Sequence, residues 1–371
     1  MGSSASFDTT KAIQQFYSDF PEHKDDIFFV DSSHGGDYRS ITKEFHDRAQ
    51  GAAAKNGTHV NWDYAHDLVR SQDPVTYTVA KDGDVWSYSN KNHPLMDFVG
   101  MSLASRHGEI FSRFLLTDYF ARQNKYIHRP DLNREMPPLK FPNDPVYRNN
   151  VYWQANTFDH ESGHALASFR NVWNTDTHKK DTYNTNRDEC FADCYALVRH
   201  YQRFGTHTGF TEPCIMDRAR LLPYMNHDYA YQHLTLACLQ EIAGMDREKL
   251  AKLSPHETVN LVANVIRNHS LTPTQLAVLS RTADDGNDAL HEGGFGGLIA
   301  YYAHAALNEK EPWLRPLVQS YFDSVRTFYA LDKNTSAELT AATAALKAGR
   351  EIPANAGIRQ TTQTYFQPAM A

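Results

Sequence analysis

Apolar residues recur at helical spacing through most of the second half of the chain. Residues three and four positions apart share one face of an α-helix, so this pattern predicts a series of amphipathic helices. Proline, glycine and asparagine separate the periodic segments, as they do at helix ends. The predicted helices lie near Asp217–Tyr224, Tyr231–Ala243, Pro255–Asn268, Thr274–Thr282, Phe295–Leu307, Leu314–Tyr329 and Ser336–Lys347.

The clearest alternation of apolar and polar residues lies in the first half of the chain. Val75–Ala80 and Val85–Ser89 alternate with β-branched and aromatic residues, and Lys81–Asp84 between them has the composition of a turn. This pattern favours a β-hairpin. With the short apolar run Asp26–Asp31, it predicts a small N-terminal antiparallel β element. The expected fold class is α+β, mainly helical, with an all-helical C-terminal half.

One helical segment carries side chains that suit a metal ion. His160-Glu161-Ser162-Gly163-His164 contains H-E-x-x-H. Histidines four apart lie on one helical face, so His160 and His164 can bind the same ion. Glu161 lies about 100° around the helix, where its carboxylate can serve as general base toward water activated by the metal. The alternative is a solvated or buried helix with two incidental histidines.

A third ligand is expected downstream, because a catalytic zinc uses three protein ligands and keeps one position open. Glu189 and Asp193 are four residues apart at the start of the next predicted helix, which ends near Gly205. Glu189 can offer its carboxylate to the metal, and Asp193 can accept the N–H of a ligand histidine. Three alternatives stay open: Asp188 as the ligand, a capping box from Asn186 to Glu189, or Asp193 as an ordinary surface carboxylate.

H-E-x-x-H followed by E-x-x-x-D resembles the zincin metallopeptidases, specifically the gluzincin branch typified by thermolysin. The resemblance covers only residues 156–200 or so. Metzincin-type proteases would have a third histidine at Arg170, which cannot bind a cation. The gluzincin resemblance implies a zincin-like catalytic core, Zn²⁺ as the metal, and these roles: His160, His164 and Glu189 as ligands, Glu161 as general base, and Asp193 as the residue that holds the first histidine.

The resemblance implies a metallopeptidase that hydrolyses a polypeptide substrate. Such enzymes add an extended substrate to an edge strand, for which the hairpin Val75–Ser89 is the candidate, with a purely structural hairpin as the alternative. A donor to the transition state is expected from a segment rich in His and Tyr. The pair His227 and Tyr229 is the first choice, His233 the second, and Tyr224 lies in the same segment. The alternatives are a zinc-dependent hydrolase of a non-peptide amide or ester, and a non-catalytic helical interaction protein whose H-E-x-x-H helix is structural.

Composition narrows the class of protein further. A formal net charge of −7 over 371 residues, with scattered Lys and Arg, argues against a nucleic-acid partner. No apolar run has the length of a membrane span. No signal peptide is recognisable, and the four cysteines, of which Cys190 and Cys194 are expected in the core, form no disulfide framework. A cytoplasmic location is expected, and secretion without a cleaved signal, for example as a bacterial effector, stays open.

The pattern also divides the chain. Residues 1–25 are expected to be a flexible leader, 26–150 an N-terminal α+β subdomain, 151–349 a helical subdomain with the zinc site, and 350–371 a loose tail. The proline-rich stretch Pro130–Pro145 marks the main boundary. Met1–Ser6 fits the N-myristoylation pattern, although an unstructured leader explains it as well. Nothing in the sequence indicates an oligomeric state.

Overall fold

The computed structural model describes residues 7–24, 27–31, 76–79, 86–89, 98–102, 135–138, 140, 142–167, 182–224, 233–310 and 312–349. Most of these residues lie in helices. This described part of the chain also contains 3₁₀ turns at Pro21–His23 and Leu222–Tyr224. The α-helices in chain order are α1 Thr9–Asp19, α2 Asn150–Ala167, α3 Thr182–Phe204, α4 Thr211–Ala219, α5 Leu236–Gly244, α6 Arg247–Leu250, α7 Pro255–His269, α8 Pro273–Asn308, α9 Leu314–Phe328 and α10 Lys333–Ala348.

The prediction of an α+β class with a small N-terminal antiparallel β element is wrong. Among the described residues, four short strand segments pair two by two: β1 with β4, and β2 with β3, each antiparallel. A two-stranded ladder of four or five residues is too small to form a sheet layer with a core of its own. The described residues are mainly helical, and a small N-terminal antiparallel β element is not supported. The segments are β1 Ile27–Asp31, β2 Thr76–Val79, β3 Trp86–Ser89 and β4 Phe98–Ser102.

Several predicted helices are confirmed because their end signals are local. Ser254 caps α7 and forms a capping box with Glu257, with Pro255 at the first helical position. Thr272 and Gln275 do the same for α8. Gly205, at a φ of 88°, follows the last residue of α3, as predicted.

The long helix α8 differs from prediction, because the polar stretch between its two predicted halves is also helical. Gly294 interrupts α8 with a φ of 66° and a ψ of −167°, a backbone conformation that only glycine adopts readily. The chain therefore bends at Gly294 and continues as a second helical segment.

Within the described ranges, the buried apolar residues form two clusters. The first joins α1, α2 and α3 to α5 and α7, and includes Phe16, Phe158 and Phe191. The second joins α8, α9 and α10 to the turn at Leu222–Tyr224. None of the helices among the described residues combines the length and hydrophobicity of a membrane-spanning segment.

The N-terminal helix α1 packs on the first cluster. Phe16 and Phe20 are buried, and Asp19 accepts a hydrogen bond from Arg199 of α3 at 2.7 Å. The division of the chain at residues 25, 150 and 349 stays a prediction.

Candidate metal centre

Helices α2 and α3 approach each other closely at Gly163, within the H-E-x-x-H segment. A Cβ added to Gly163 would lie 2.8 Å from the Cα of Ala192, closer than real Cβ atoms come to another atom. Only glycine therefore allows this approach. Gly163 precedes His164, and Ala192 precedes Asp193, so this close contact of the two helices lies at the predicted site.

Three predicted ligand atoms converge between these helices. The Nε2 atoms of His160 and His164 are 3.1 Å apart. They lie 3.3 Å and 3.6 Å, respectively, from Oε2 of Glu189. All three side chains are buried, and together they could hold a metal ion.

The spacing of these atoms fits a metal of the size of zinc. Ligands at 2.0–2.2 Å around a tetrahedral ion are about 3.3–3.6 Å apart, which matches the three observed separations to within about 0.2 Å. Oε2 of Glu189 is buried and accepts no hydrogen bond of good geometry among the described residues. A cation would supply the partner that this oxygen lacks, because a buried carboxylate oxygen without a partner is costly.

Each histidine is held by a carboxylate on its other ring nitrogen. Nδ1 of His160 donates to Oδ1 of Asp193 at 2.8 Å, and Nδ1 of His164 donates to Oδ2 of Asp188 at 3.0 Å. An ionised carboxylate can only accept, so both Nδ1 atoms carry protons. In the neutral rings, the lone pairs are then on the Nε2 atoms, which face Glu189.

Asp193 is itself fixed by two further side chains. Arg218 of α4 donates from Nε to Oδ2 and from Nη2 to Oδ1, each at 2.7 Å, and Thr235 donates to Oδ2 at 2.6 Å. Burial alone would raise the pKa of Asp193, but the Arg218 charge and His160 hold it well below its usual range. Asp193 therefore stays ionised and keeps its orientation toward His160.

The buried carboxylates favour positive charge at the two histidines. Burial alone would lower both pKa values, but Asp193 and Glu189 raise that of His160 to about 10, and Asp188 and Glu189 raise that of His164 to about 9. Burial by itself would raise the pKa of Glu189. The surrounding histidines outweigh the effect of burial and hold this pKa well below its usual value. A cation and protons compete for the same ring nitrogens, as expected for a metal site.

The other predicted side chains have mixed outcomes. Glu161 is half-buried on α2, beside His160. Asn186 lies inside α3 and donates to the carbonyl oxygen of Leu234, so it does not cap the helix, and the capping-box alternative for Glu189 is wrong. Asp188 contacts a ligand histidine and is not in the ligand group. Cys190 and Cys194 are free thiols in the core, as expected.

The expected transition-state donors are only partly described. His227 and Tyr229 lie outside the described residues. Tyr224 is buried in the second apolar cluster. His233 is brought to the site, with Nδ1 3.0 Å from Oε2 of Glu189.

Sequence reasoning missed two residues of the site, Arg218 and Thr235. Neither belongs to a motif, and they lie 25 and 42 residues beyond Asp193 in the chain. The only indication in the sequence was indirect, because a buried carboxylate such as Asp193 requires a donor or a positive charge nearby.

Comparisons of the chain with protein-family models, with curated proteins and with solved structures found no match. The site must therefore be interpreted from its own geometry.

Proposed function

We propose that this protein is a zinc-dependent metallopeptidase, in which Glu161 acts as general base. The observation that carries the proposal is the convergence of two Nε2 atoms and one carboxylate oxygen, with each histidine held through Nδ1 by its own carboxylate. Structural ion pairs do not require such an arrangement, whereas metal-ligating histidines almost always have one.

The ligand set favours zinc over other common divalent ions. Two imidazoles and one carboxylate suit zinc, whereas Mg²⁺ and Ca²⁺ prefer oxygen ligands throughout. Three protein ligands also correspond to a catalytic site rather than to a structural one, which uses four. When bound, the ion supplies Lewis acidity, which makes water a nucleophile at neutral pH.

The side chains of this protein then have distinct tasks. His160, His164 and Glu189 bind the ion, while Asp193 and Asp188 keep the two histidines in the tautomer that exposes Nε2. Glu161 follows His160 directly on α2, and as general base it removes a proton from the attacking water. It then passes that proton to the leaving nitrogen of the cleaved peptide bond. The polypeptide substrate is inferred from the gluzincin-like order of the two motifs.

The substitution Glu161→Gln tests the proposal, because it removes the base and keeps the shape of the side chain. We expect the variant to retain one zinc per chain and to lose about 10²- to 10⁴-fold in kcat/KM on a peptide library. Glu292→Gln is the matched control: it alters the exposed Glu of His291-Glu292, a pair with no second histidine four residues on. It should leave both zinc content and turnover unchanged.

Two results would contradict the proposal. An unimpaired Glu161→Gln variant would show that the base is wrong. A zinc-loaded wild-type protein that cleaves small esters or amides but no member of the peptide library would show that the substrate class is wrong.

A further inference from the structure

A buried ion pair joins α2 to α3 directly beside the ligand group. Asp159, the residue before His160, is only 3% exposed. Arg203 of α3 donates to both oxygens of this carboxylate, from Nη2 at 2.8 Å and 3.1 Å and from Nε at 3.4 Å. A guanidinium that donates from two nitrogens fixes the orientation of a carboxylate as well as its distance. The pair therefore restricts how α2 can lie on α3.

The ion pair lies on the same helical faces as the close contact of α2 with α3. Asp159 and Gly163 are four residues apart on α2. Ala192 and Arg203 are eleven residues apart on α3. Each spacing is close to a whole number of helical turns, so it keeps its two residues on one face. The register of the two helices is therefore fixed at two places, by the contact of Gly163 with Ala192 and by the ion pair.

The ring of Phe7, near the start of the chain, packs against the ion pair. The guanidinium carbon of Arg203 lies 5.4 Å from the centre of this ring, and the ring of Phe158 lies 5.7 Å from it. The backbone N–H of Phe7 donates to the side-chain oxygen of Gln154 at 3.3 Å, which holds the segment on α2. These contacts keep water from part of the pair, and a charged hydrogen bond is stronger where water is excluded.

A buried ion pair adds little to stability compared with apolar side chains of the same size, because both charges lose their water. Such a pair can instead specify register, since its hydrogen bonds form in only one arrangement of the two helices. We propose that Asp159 and Arg203 are positioning residues, which hold α2 and α3 in the register that brings the three metal ligands together. The inference rests on the metal site of the proposed function and adds two residues to it.

Removal of both charges separates positioning from stability. The double variant Asp159→Leu with Arg203→Met has apolar side chains of similar size in place of the pair. We expect its urea midpoint to be close to that of wild type or above it. We also expect it to bind zinc at least about 10-fold more weakly, in competition with a chromophoric chelator, because the ligands lose their support. A pair that served only stability would change the urea midpoint and leave zinc affinity unchanged.

The matched control is a second ion pair on the same helix. Arg199 lies four residues before Arg203 on α3, and its Nη2 donates to Asp19 of α1 at 2.7 Å. Both side chains of this pair are largely buried, at 12% and 10% exposure. Because the pair joins α3 to α1 and not to α2, the double variant Asp19→Leu with Arg199→Met should bind zinc as wild type does.

Two results would overturn the inference. One is an Asp159→Leu with Arg203→Met variant that binds zinc as tightly as wild type, and the other is an equal loss of zinc affinity in both double variants. A wild-type protein that binds no zinc would overturn the proposed function and this inference with it, so the two failures are distinguishable.

A milder substitution keeps the inference testable if the double variant does not fold. Arg203→Lys retains the charge opposite Asp159, but its donors are all on one nitrogen, so it cannot fix the orientation of the carboxylate in the same way. We expect this variant to bind zinc a few-fold more weakly than Arg199→Lys, the same substitution one turn earlier on α3. Equal zinc affinities of the two lysine variants would overturn the inference.

Discussion

The close approach of α2 and α3 at Gly163 allows a sharp test with a single methyl group. In Gly163→Ala, the new Cβ would lie 2.8 Å from Cα of Ala192 and 3.4 Å from its Cβ and carbonyl oxygen. The obstacle at 2.8 Å is backbone, so no side chain can rotate away. The helices must separate instead, since ordinary van der Waals contact begins at 3.4 Å.

The required separation is about 0.6 Å, the difference between 3.4 Å and 2.8 Å. If it acts along the line between the ligands, the distance from Nε2 of His160 to Oε2 of Glu189 grows from 3.3 Å to about 3.9 Å. That exceeds the separation of about 3.3–3.6 Å between ligands of tetrahedral zinc. Overpacking costs about 1–3 kcal/mol, and the better helix propensity of alanine returns about 1 kcal/mol. We therefore expect a net loss of up to about 2 kcal/mol in the free energy of unfolding of the metal-free protein.

The assay combines urea unfolding of the metal-free protein with zinc titration of the folded protein. Gly163→Ala should be less stable and should bind zinc at least about 10-fold more weakly, because the ligand geometry is disturbed. Gly293→Ala is the matched control, since a Cβ there meets nothing within 4 Å and the residue lies within α8. It should be neutral or stabilising by up to about 1 kcal/mol. A Gly163→Ala variant with wild-type stability and zinc affinity would refute the close-packed site.

Two further predictions concern buried charge and pH. Asp193→Asn leaves the partly buried Arg218 without its counter-charge, and should cost about 3–5 kcal/mol in the free energy of unfolding by urea. The control is Asp323→Asn, which breaks the exposed pair of Asp323 with Arg326 and should cost less than about 1 kcal/mol. A comparable cost for both variants would contradict the claim that Asp193 and Arg218 form a stabilising buried ion pair. Burial, aided by the Arg203 charge, lowers the pKa of His200 to about 3, below the value of 6.5 in the unfolded chain. The stability that the neutral His200 side chain contributes is therefore present above pH 6.5 and is lost as pH falls toward 3. His200→Phe should therefore lose less stability than wild type between pH 7 and pH 4, by up to about 3 kcal/mol, and parallel pH curves would show that His200 is not the group responsible.

The ligand group could be predicted because its determinants are local. His160 and His164, and likewise Glu189 and Asp193, are four residues apart, and a helix converts that spacing into one face without any knowledge of the rest of the fold. The helices α7 and α9 were predictable for the same reason, since their apolar period and end residues lie within the segments themselves.

The remaining features depend on tertiary contacts. Polar and glycine residues after Thr282 predicted a break, yet α8 stays helical as far as Gly294, because Ala289 and Leu290 are buried in it. Gly286, a residue that normally weakens a helix, lies there against Tyr302: an added Cβ would be 3.1 Å from Cε2 of that ring. The alternating pattern around Lys81–Asp84 predicted a sheet element, but period-two alternation does not indicate how many strands will join.

The role of Asp188 was also beyond local pattern. Its position in the sequence beside Glu189 suits a metal ligand and a carboxylate that orients a histidine equally well. Only the contact with Nδ1 of His164 distinguishes these two roles.

The central claim, a metal held by His160, His164 and Glu189, is tested most directly by anomalous diffraction from crystals of the zinc-loaded protein, with data on both sides of the zinc absorption edge. We expect one strong edge-dependent peak within about 2.0–2.2 Å of both Nε2 atoms and of Glu189 Oε2. Zinc-loaded crystals with no peak among these three atoms, or with the peak at other side chains, would contradict the account.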